Sequence, residues 1–95
     1  MVTKVILEKH LEQYFTGQCK KLRLQTLKLH IRFTRGWPDR LVLLKEGKIL
    51  WVELKRPGGK VSPLQEKKHK EMAAWGHHVH VIDSKEGIDN VLGTA

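Results

Sequence analysis

The hydrophobic pattern of the first third of the chain predicts one helix followed by strand-like segments. An apolar stripe at i, i+4, i+7 and i+8 predicts a helix that Thr3 caps, that runs to about residue 15 and that Gly17 ends. The stripe comprises Leu7, Leu11, Tyr14 and Phe15. Residues 19–24 alternate imperfectly and predict a first strand. Residues 27–33 alternate with period two, so this segment could extend the sheet or form an arm.

Two apolar runs in the middle of the chain predict a β-hairpin. Residues 41–44 and 49–52 flank a short Lys-Glu-Gly-Lys turn. Asp39 follows a proline at the head of the first run, and the second run ends in Glu53 and Lys55, separated by a leucine. Because positions i and i+2 of a strand share a face, Glu53 and Lys55 point to the same side. The second strand is apolar on both faces and therefore lies inside a layered core. Charged residues at the end of such a strand are not expected to be ordinary solvent-exposed charges.

The beginning of the next helix is marked by local capping residues. Ser62 is a good N-cap, Pro63 suits the first helical position, and Gln65 has the spacing of a capping box. Gly76 ends the helix. Gln65 therefore has a structural role available, but its position on the helix would also let it reach the hairpin, and both alternatives stay open.

The last part of the chain completes a mixed α/β pattern. Residues 78–82 predict the final strand, and Ser84 caps a tail helix with an apolar stripe of Ile88, Val91 and Leu92. The order α-β-β-β-α-β-α, with the uncertain segment 27–33 attached, predicts a mixed central sheet flanked by helices. Ninety-five residues form one domain, residues 1–95, with a modest core.

Composition and charge limit the classes of partner. No apolar run approaches the roughly 20 residues that span a bilayer, and the N-terminus lacks the apolar region of a secretory signal, so we expect a cytoplasmic location without membrane contact. The single cysteine, Cys19, cannot form an intrachain disulfide, and we interpret it as a half-buried strand residue. A net charge of +8 suits a polyanionic partner but does not by itself separate DNA from RNA or acidic lipid.

The hairpin carries the strongest candidate chemistry. It brings together the carboxylates of Asp39 and Glu53 with the ammonium of Lys55 beside them. Such carboxylates repel each other unless a cation lies between them. Hard oxygen ligands without Cys or His favour Mg²⁺ or Mn²⁺ over zinc, and an adjacent lysine can position a water or stabilise developing negative charge. The simpler alternative is a surface salt bridge between Glu53 and Lys55.

Other charged residues have two interpretations each. Glu8 lies at the edge of the first helix's apolar stripe, where it is either a solvated charge or reaches a cation shared with the hairpin, whereas Glu12 falls further out. The histidines at 77, 78 and 80 do not favour a zinc site, because only two share a face and no fourth ligand has a suitable spacing. The even positions of residues 27–33 form a basic stripe that either contacts phosphate or is solvated. The residues that we predict to contact nucleic acid are Lys21, Lys28, Arg32, Arg35, Arg40, Arg56, Lys60 and Lys68.

The blocks around the hairpin resemble a known nuclease family. Pro38-Asp39 followed by Glu53-Leu54-Lys55 is similar to the PD-(D/E)xK nuclease signature. With the blocks RGWPDR, VELKRPGG and SPLQ, the chain resembles the virus-type replication-repair nuclease (VRR-Nuc) branch, including its stand-alone, often phage-encoded members. The resemblance covers nearly the whole chain. It departs at Trp37, where a smaller apolar residue is expected, and at residues 24–33, which are longer and more basic than the usual link.

The resemblance implies a restriction-endonuclease-like α-β-β-β-α-β core and Mg²⁺- or Mn²⁺-dependent hydrolysis of DNA phosphodiesters in a bacterial cell, with no small-molecule cofactor. It implies that Lys55 orients or deprotonates the attacking water and that Gln65 supports Lys55. The metal ligands that it implies are Glu8, Asp39, Glu53 and the carbonyl of Leu54.

Size and symmetry lead us to expect a homodimer acting on branched DNA. One small domain has one catalytic constellation, whereas a four-way junction offers two equivalent strands to a two-fold dimer. A monomer that nicks flaps or single strands is the alternative. A DNA-binding module without catalysis is disfavoured, because three acids beside the DNA would repel phosphate. A basic scaffold subunit, the remaining alternative, would neither cleave nor bind a divalent metal.

Overall fold

The order of helices and strands agrees with the sequence prediction. The computed structural model describes the backbone of residues 4–93 and the side chains of residues 8–93. Within that part of the chain, no helix is long and apolar enough to cross a membrane. The elements are α1 (Lys4–Lys21), β1 (Gln25–Lys28), β2 (Arg40–Leu43), a 3₁₀ turn (Lys45–Gly47), β3 (Ile49–Leu54), α2 (Pro63–Ala74), β4 (Val79–Ile82) and α3 (Lys85–Gly93).

The four strands form one mixed sheet in the order β1-β2-β3-β4. β1, β2 and β3 are antiparallel neighbours, and the predicted hairpin is the β2–β3 pair. β4 pairs with β3 in parallel. A parallel pair needs a crossover connection, which α2 supplies. This mixed sheet with flanking helices is the fold class expected from the sequence.

The two faces of β3 meet different helices. Val52 is fully buried on the face covered by α1 and α3, where the main hydrophobic core lies. Glu53 points to the opposite face, because successive strand residues alternate. α2 covers that face, with Met72 buried and His69 beside Glu53. The core residues are Leu11, Phe15, Cys19, Val42, Val52, Ile82, Ile88 and Leu92.

The first helix is longer than predicted. It continues through Gly17 to Lys21, so the strand predicted at residues 19–24 is wrong. Cys19 is 1% exposed in the core rather than half-buried on a strand. Its position at i+4 from Phe15 extends the apolar stripe of the helix by one turn. A glycine inside a helix costs roughly 1 kcal/mol relative to alanine, and burial of the last turn offsets that cost. The predicted Thr3 cap and the Leu7 side chain lie outside the described residues.

The alternating segment 27–33 joins the sheet only at its beginning. Regular pairing of β1 with β2 ends at Lys28, opposite Arg40. One further backbone bond follows, from Leu29 N–H to the carbonyl oxygen of Asp39 at 2.8 Å. Residues 30–38 have no regular secondary structure. The segment is therefore a short edge strand followed by a loop that returns to the start of β2.

Candidate active site

The register of the hairpin brings two carboxylates together. Arg40 pairs with Val52 at the end of the β2–β3 ladder, so the preceding Asp39 stands opposite Glu53. Both side chains point to the α2 face, since each is one position away from a core-facing residue. The backbone N–H of Leu54 donates to Asp39 Oδ1 at 3.4 Å. The sequence places these acids at the ends of two strands, and the pairing makes them neighbours.

Burial makes this pair of carboxylates hard to ionise. Glu53 is 3% exposed, and its Oε1 has no hydrogen-bond partner among the described residues. Burial, and then the charge of Asp39, raises the pKa of Glu53 to about 8, although the charge of Lys55 opposes the shift. Burial also raises the pKa of Asp39. Two acids sharing a buried position resist a second negative charge, so the site favours either a proton or a cation.

One cleft of about 340 Å³ contains every residue predicted to act in catalysis or metal binding. Those residues are Glu8, Asp39, Glu53, Leu54, Lys55 and Gln65. Lys55 is half-buried next to the acids, and its backbone N–H bonds the carbonyl oxygen of Ile82 at 2.8 Å, which ties the end of β3 to β4. The structure thus gathers residues from α1, β2, β3 and α2, while their individual roles stay predictions.

The structure places the three predicted carboxylates in one cleft, with two of them opposite each other. Within residues 8–93, no three His, Cys, Asp or Glu side chains converge closely enough to hold a metal ion. Asp39 stands opposite Glu53, and its charge contributes to the raised pKa of Glu53, whereas Glu8 is exposed on α1 while still lining the cleft. Glu53 therefore forms the buried part of the site, Asp39 is half-buried beside it, and Glu8 lies at the exposed side.

Similarity to known proteins agrees with this arrangement. No family model matches the sequence. A protein named "Putative nuclease p44" from Acyrthosiphon pisum secondary endosymbiont phage 1 is 39% identical over 83 residues, which is 87% of this chain and 89% of that protein. A solved structure described as a VRR_NUC domain matches with a TM-score of 0.83 and 29% identity over 97% of each chain. The chain belongs to the VRR-Nuc family of nucleases. The resemblance predicted from the sequence is thereby confirmed.

The sequence did not predict that Glu12 lies inside the cleft of this VRR-Nuc protein. Glu12 is half-buried in the active-site cleft, and its Oε1 accepts hydrogen bonds from Lys28 Nζ and Arg40 Nη2, both at 3.0 Å. The bond from Lys28 is the main cause of its lowered pKa. The sequence offered a signal, because Glu12 follows Glu8 by four positions on the same helical face. Glu12 is already neutralised by protein groups, unlike Asp39 and Glu53.

The VRR-Nuc fold buries Arg40, which the sequence predicted to contact nucleic acid. Arg40 is 6% exposed, and its guanidinium lies 5.5 Å from the centre of the Phe15 ring. Together with the bond to Glu12, this contact makes Arg40 a buried link between β2 and α1. Lys28 is also paired but half of its side chain remains exposed. Among the other predicted contacts, Lys21, Arg32, Arg35 and Lys60 are exposed, and Arg56 and Lys68 are half-buried.

Two residues of α2 approach the acids, and only one of them was predicted. Gln65 forms the predicted capping box with Ser62 and also lines the cleft, so its two proposed positions are compatible. His69 was not predicted, and its Nε2 lies 3.6 Å from Glu53 Oε1, with neither atom hydrogen-bonded within the described part of the chain. Burial, followed by the charge of Lys55, lowers the pKa of His69. The signal was its spacing, because His69 follows Gln65 by four positions on one helical face.

The histidines near β4 lie in two different environments. The rings of His78 and His80 meet edge to face with centroids 4.5 Å apart. The ring of His77 instead lies 6.4 Å from Trp51, also edge to face. This separation follows the alternation of side chains that the sequence indicated.

Proposed function

We propose that this VRR-Nuc protein is a metal-dependent endonuclease that hydrolyses DNA phosphodiester bonds, with residues 1–95 acting as one nuclease domain. The observation that carries the proposal is the pairing of half-buried Asp39 with buried Glu53, next to Lys55 in one cleft. A divalent cation would allow both acids to ionise. Among the described residues, no protein group donates a hydrogen bond to Glu53 Oε1, so this oxygen is free to bind a cation.

The donor set fits a hard cation. Asp39 and Glu53 would hold Mg²⁺ or Mn²⁺, with the Leu54 carbonyl and Glu8 as further oxygen ligands from the same cleft. Bound there, the ion would lower the pKa of a water and neutralise charge on the phosphate.

Lys55 and Gln65 would act on the attacking water. Lys55 shares a strand face with Glu53, so its amine can orient the water or take its proton. Gln65 accepts a bond from Ser62 N–H through Oε1 at 3.0 Å. Its amide group still has two donors, which can bond to the water or to a phosphate oxygen in the cleft. The capping box thus fixes the orientation of the side chain that supports Lys55.

Substitution of either acid of this pair tests the assignment. We expect Glu53→Gln and Asp39→Asn to abolish cleavage of plasmid and oligonucleotide DNA in Mg²⁺, with DNA binding intact or tighter because one negative charge near phosphate is gone. Glu66→Gln is the matched control, since Glu66 is exposed and its side chain pairs with exposed Lys70, at 3.2 Å. Cleavage at the wild-type rate by either variant, or cleavage in EDTA, would contradict the metal-site assignment. If the wild type cleaves DNA in neither Mg²⁺ nor Mn²⁺, the result would favour a non-catalytic DNA-binding module.

Branched DNA is the proposed substrate class, and four-way junctions are the proposed best substrates of a homodimer. Support comes from the single constellation per chain and from the exposed apolar residues Leu27 and Ile31, 49% and 44% exposed, at and just beyond the edge strand β1. Sedimentation at micromolar concentration and cleavage of junction, flap and linear duplex at matched salt test this. A monomeric mass with equal cleavage of junction and duplex would contradict it. The phage origin of the relative supports action in the cytoplasm of a bacterial host.

A further inference from the structure

The loop between β1 and β2 borders the active site. Residues 30–38 have no regular secondary structure and lead directly into Asp39. A second cleft, of about 310 Å³, lies along this loop and includes His30, Thr34, Arg35 and Asp39 among its lining residues. A ligand that touches the loop can therefore also reach Asp39, one of the two acids at the hairpin.

Phe33 at this loop has an exposed side chain and an unusual backbone. Its side chain is 102% exposed, so the ring buries nothing within the described protein. Its φ is +71°, in the left-handed region, which is unfavourable for a residue other than glycine. Neither feature helps the fold, since an aromatic ring in water and a strained backbone are both unfavourable. Such an outlier beside an active site points to a functional role.

The base of the loop is held firmly against α2. Trp37 Nε1 donates to Thr34 Oγ1 at 2.9 Å. Gly36 has φ +92°, and a Cβ there would overlap the backbone of Leu64 in α2, so the loop approaches the helix as closely as a backbone can. Phe33 is therefore presented from an anchored loop, which lowers the entropy lost when the ring contacts a ligand.

The charge around Phe33 selects a polyanion as its partner. Residues 25–38 contain no Asp or Glu and carry Lys28, Arg32 and Arg35. Arg32 and Arg35 are exposed on either side of the ring in sequence. An aromatic ring between cations is the arrangement with which proteins bind single-stranded nucleic acid, the ring stacking on a base and the cations contacting phosphates. An apolar protein surface would gain nothing from these charges.

We propose that Phe33 stacks on an unpaired nucleobase of the DNA substrate, with Arg32 and Arg35 contacting the adjacent phosphates. The inference rests on the proposed function, because it takes the substrate to be DNA. Phe33 precedes Asp39 by six positions, which spans at most ~20 Å of extended chain. The stacked base is thus within a few nucleotides of the cleaved bond. Stacking of this kind favours branch points and single-stranded arms over continuous duplex, where every base is already stacked.

A protein–DNA double-mutant cycle tests the contact without requiring cleavage. Binding is measured by fluorescence anisotropy in EDTA, with a forked duplex and with the same fork carrying abasic nucleotides at its first unpaired positions. We expect the wild type to bind the abasic fork about 5- to 100-fold more weakly, the range of base–aromatic stacking. Phe33→Ala should bind the intact fork correspondingly weakly and should not distinguish the two forks. Phe33→Tyr, which keeps the ring, should retain the difference.

Two further variants separate the contact from folding and from general aromatic exposure. Phe33→Gly removes the ring and relieves the positive φ, so it should lose the base dependence while unfolding at a temperature equal to or above that of the wild type. Trp75→Ala removes another exposed ring, 83% exposed at the end of α2, and should keep the base dependence.

The result that overturns the inference is a Phe33→Ala protein that distinguishes the two forks as strongly as the wild type does. Conversion of a dimer to a monomer by Phe33→Ala in sedimentation would also overturn it, because the ring would then cover a second copy of the chain. A wild type that shows the base dependence but does not cleave DNA in Mg²⁺ or Mn²⁺ would overturn the proposed nuclease function alone.

Discussion

Replacing Glu53 with glutamine should make the metal-free protein more stable while it abolishes cleavage. The carboxyl group is 3% exposed, and its Oε1 has no hydrogen-bond partner among the described residues. Burial and the neighbouring Asp39 raise its pKa to about 8. Glutamine has nearly the same volume, carries no charge and can donate a hydrogen bond to Asp39. The substitution therefore removes an electrostatic conflict and leaves the packing in place.

The sign of the effect follows from the shifted pKa, and its size from the cost of a buried polar group that lacks a hydrogen bond. An unfolded glutamate titrates near 4.5. Between pH 4.5 and about 8 the folded protein keeps a proton that the unfolded chain releases, so the free energy of unfolding falls as the pH rises through this window. An unsatisfied buried polar group costs about 1–3 kcal/mol, and roughly 1 kcal/mol changes the Tm of a domain this small by about 4–8 °C. We expect Glu53→Gln to raise the Tm by about 5–15 °C at pH 8 and to change it little near pH 5.

Thermal unfolding in EDTA at several pH values measures this difference directly. Glu66→Gln, which alters an exposed acid, should stay within about 0.5 kcal/mol of the wild type at every pH. Adding Mg²⁺ should stabilise the wild type at pH 8 more than the Glu53→Gln variant. The ion binds the folded state and not the unfolded chain, and the variant lacks one of the two carboxylates that would hold it. Equal stability of the two proteins at pH 8, or a difference that does not change with pH, would refute the reasoning.

Further predictions concern the lysine of the site and two glycines. Lys55→Met should lower the cleavage rate by about 10²-fold or more while calorimetric titration still detects metal binding; normal cleavage would reduce Lys55 to a surface partner of Glu53. Gly36→Ala should destabilise the protein by about 3 kcal/mol or more in denaturant unfolding, because its φ is +92° and the new Cβ would overlap the carbonyl of Leu64. Gly17→Ala should raise the free energy of unfolding by about 0.5–1 kcal/mol, because Gly17 is helical and an added Cβ meets nothing within 4 Å; no gain would mean that the helix is broken there.

The sequence by itself determined the hairpin and the helix that follows it, because both depend on residues close together in the chain. The short turn fixes which strand residues face each other, and so Asp39 and Glu53 become neighbours once the two strands pair. The start of α2 is equally local, since Ser62 and Gln65 satisfy each other's backbone within one helical turn. These local features are the reason that the sequence alone predicts the fold class and the family. They also bring Asp39 close to Glu53.

Only the tertiary structure decided features that depend on distant residues. From local propensity we expect the first helix to end at Gly17. It continues to Lys21 because the last turn buries Cys19 against the sheet and α3. The sequence predicts that Arg40 contacts nucleic acid, yet Arg40 donates a hydrogen bond to Glu12, 28 positions away, inside the protein. In the first case the free energy of burying a side chain exceeds a local helix preference of about 1 kcal/mol. In the second, no short stretch of sequence contains both partners of the ion pair.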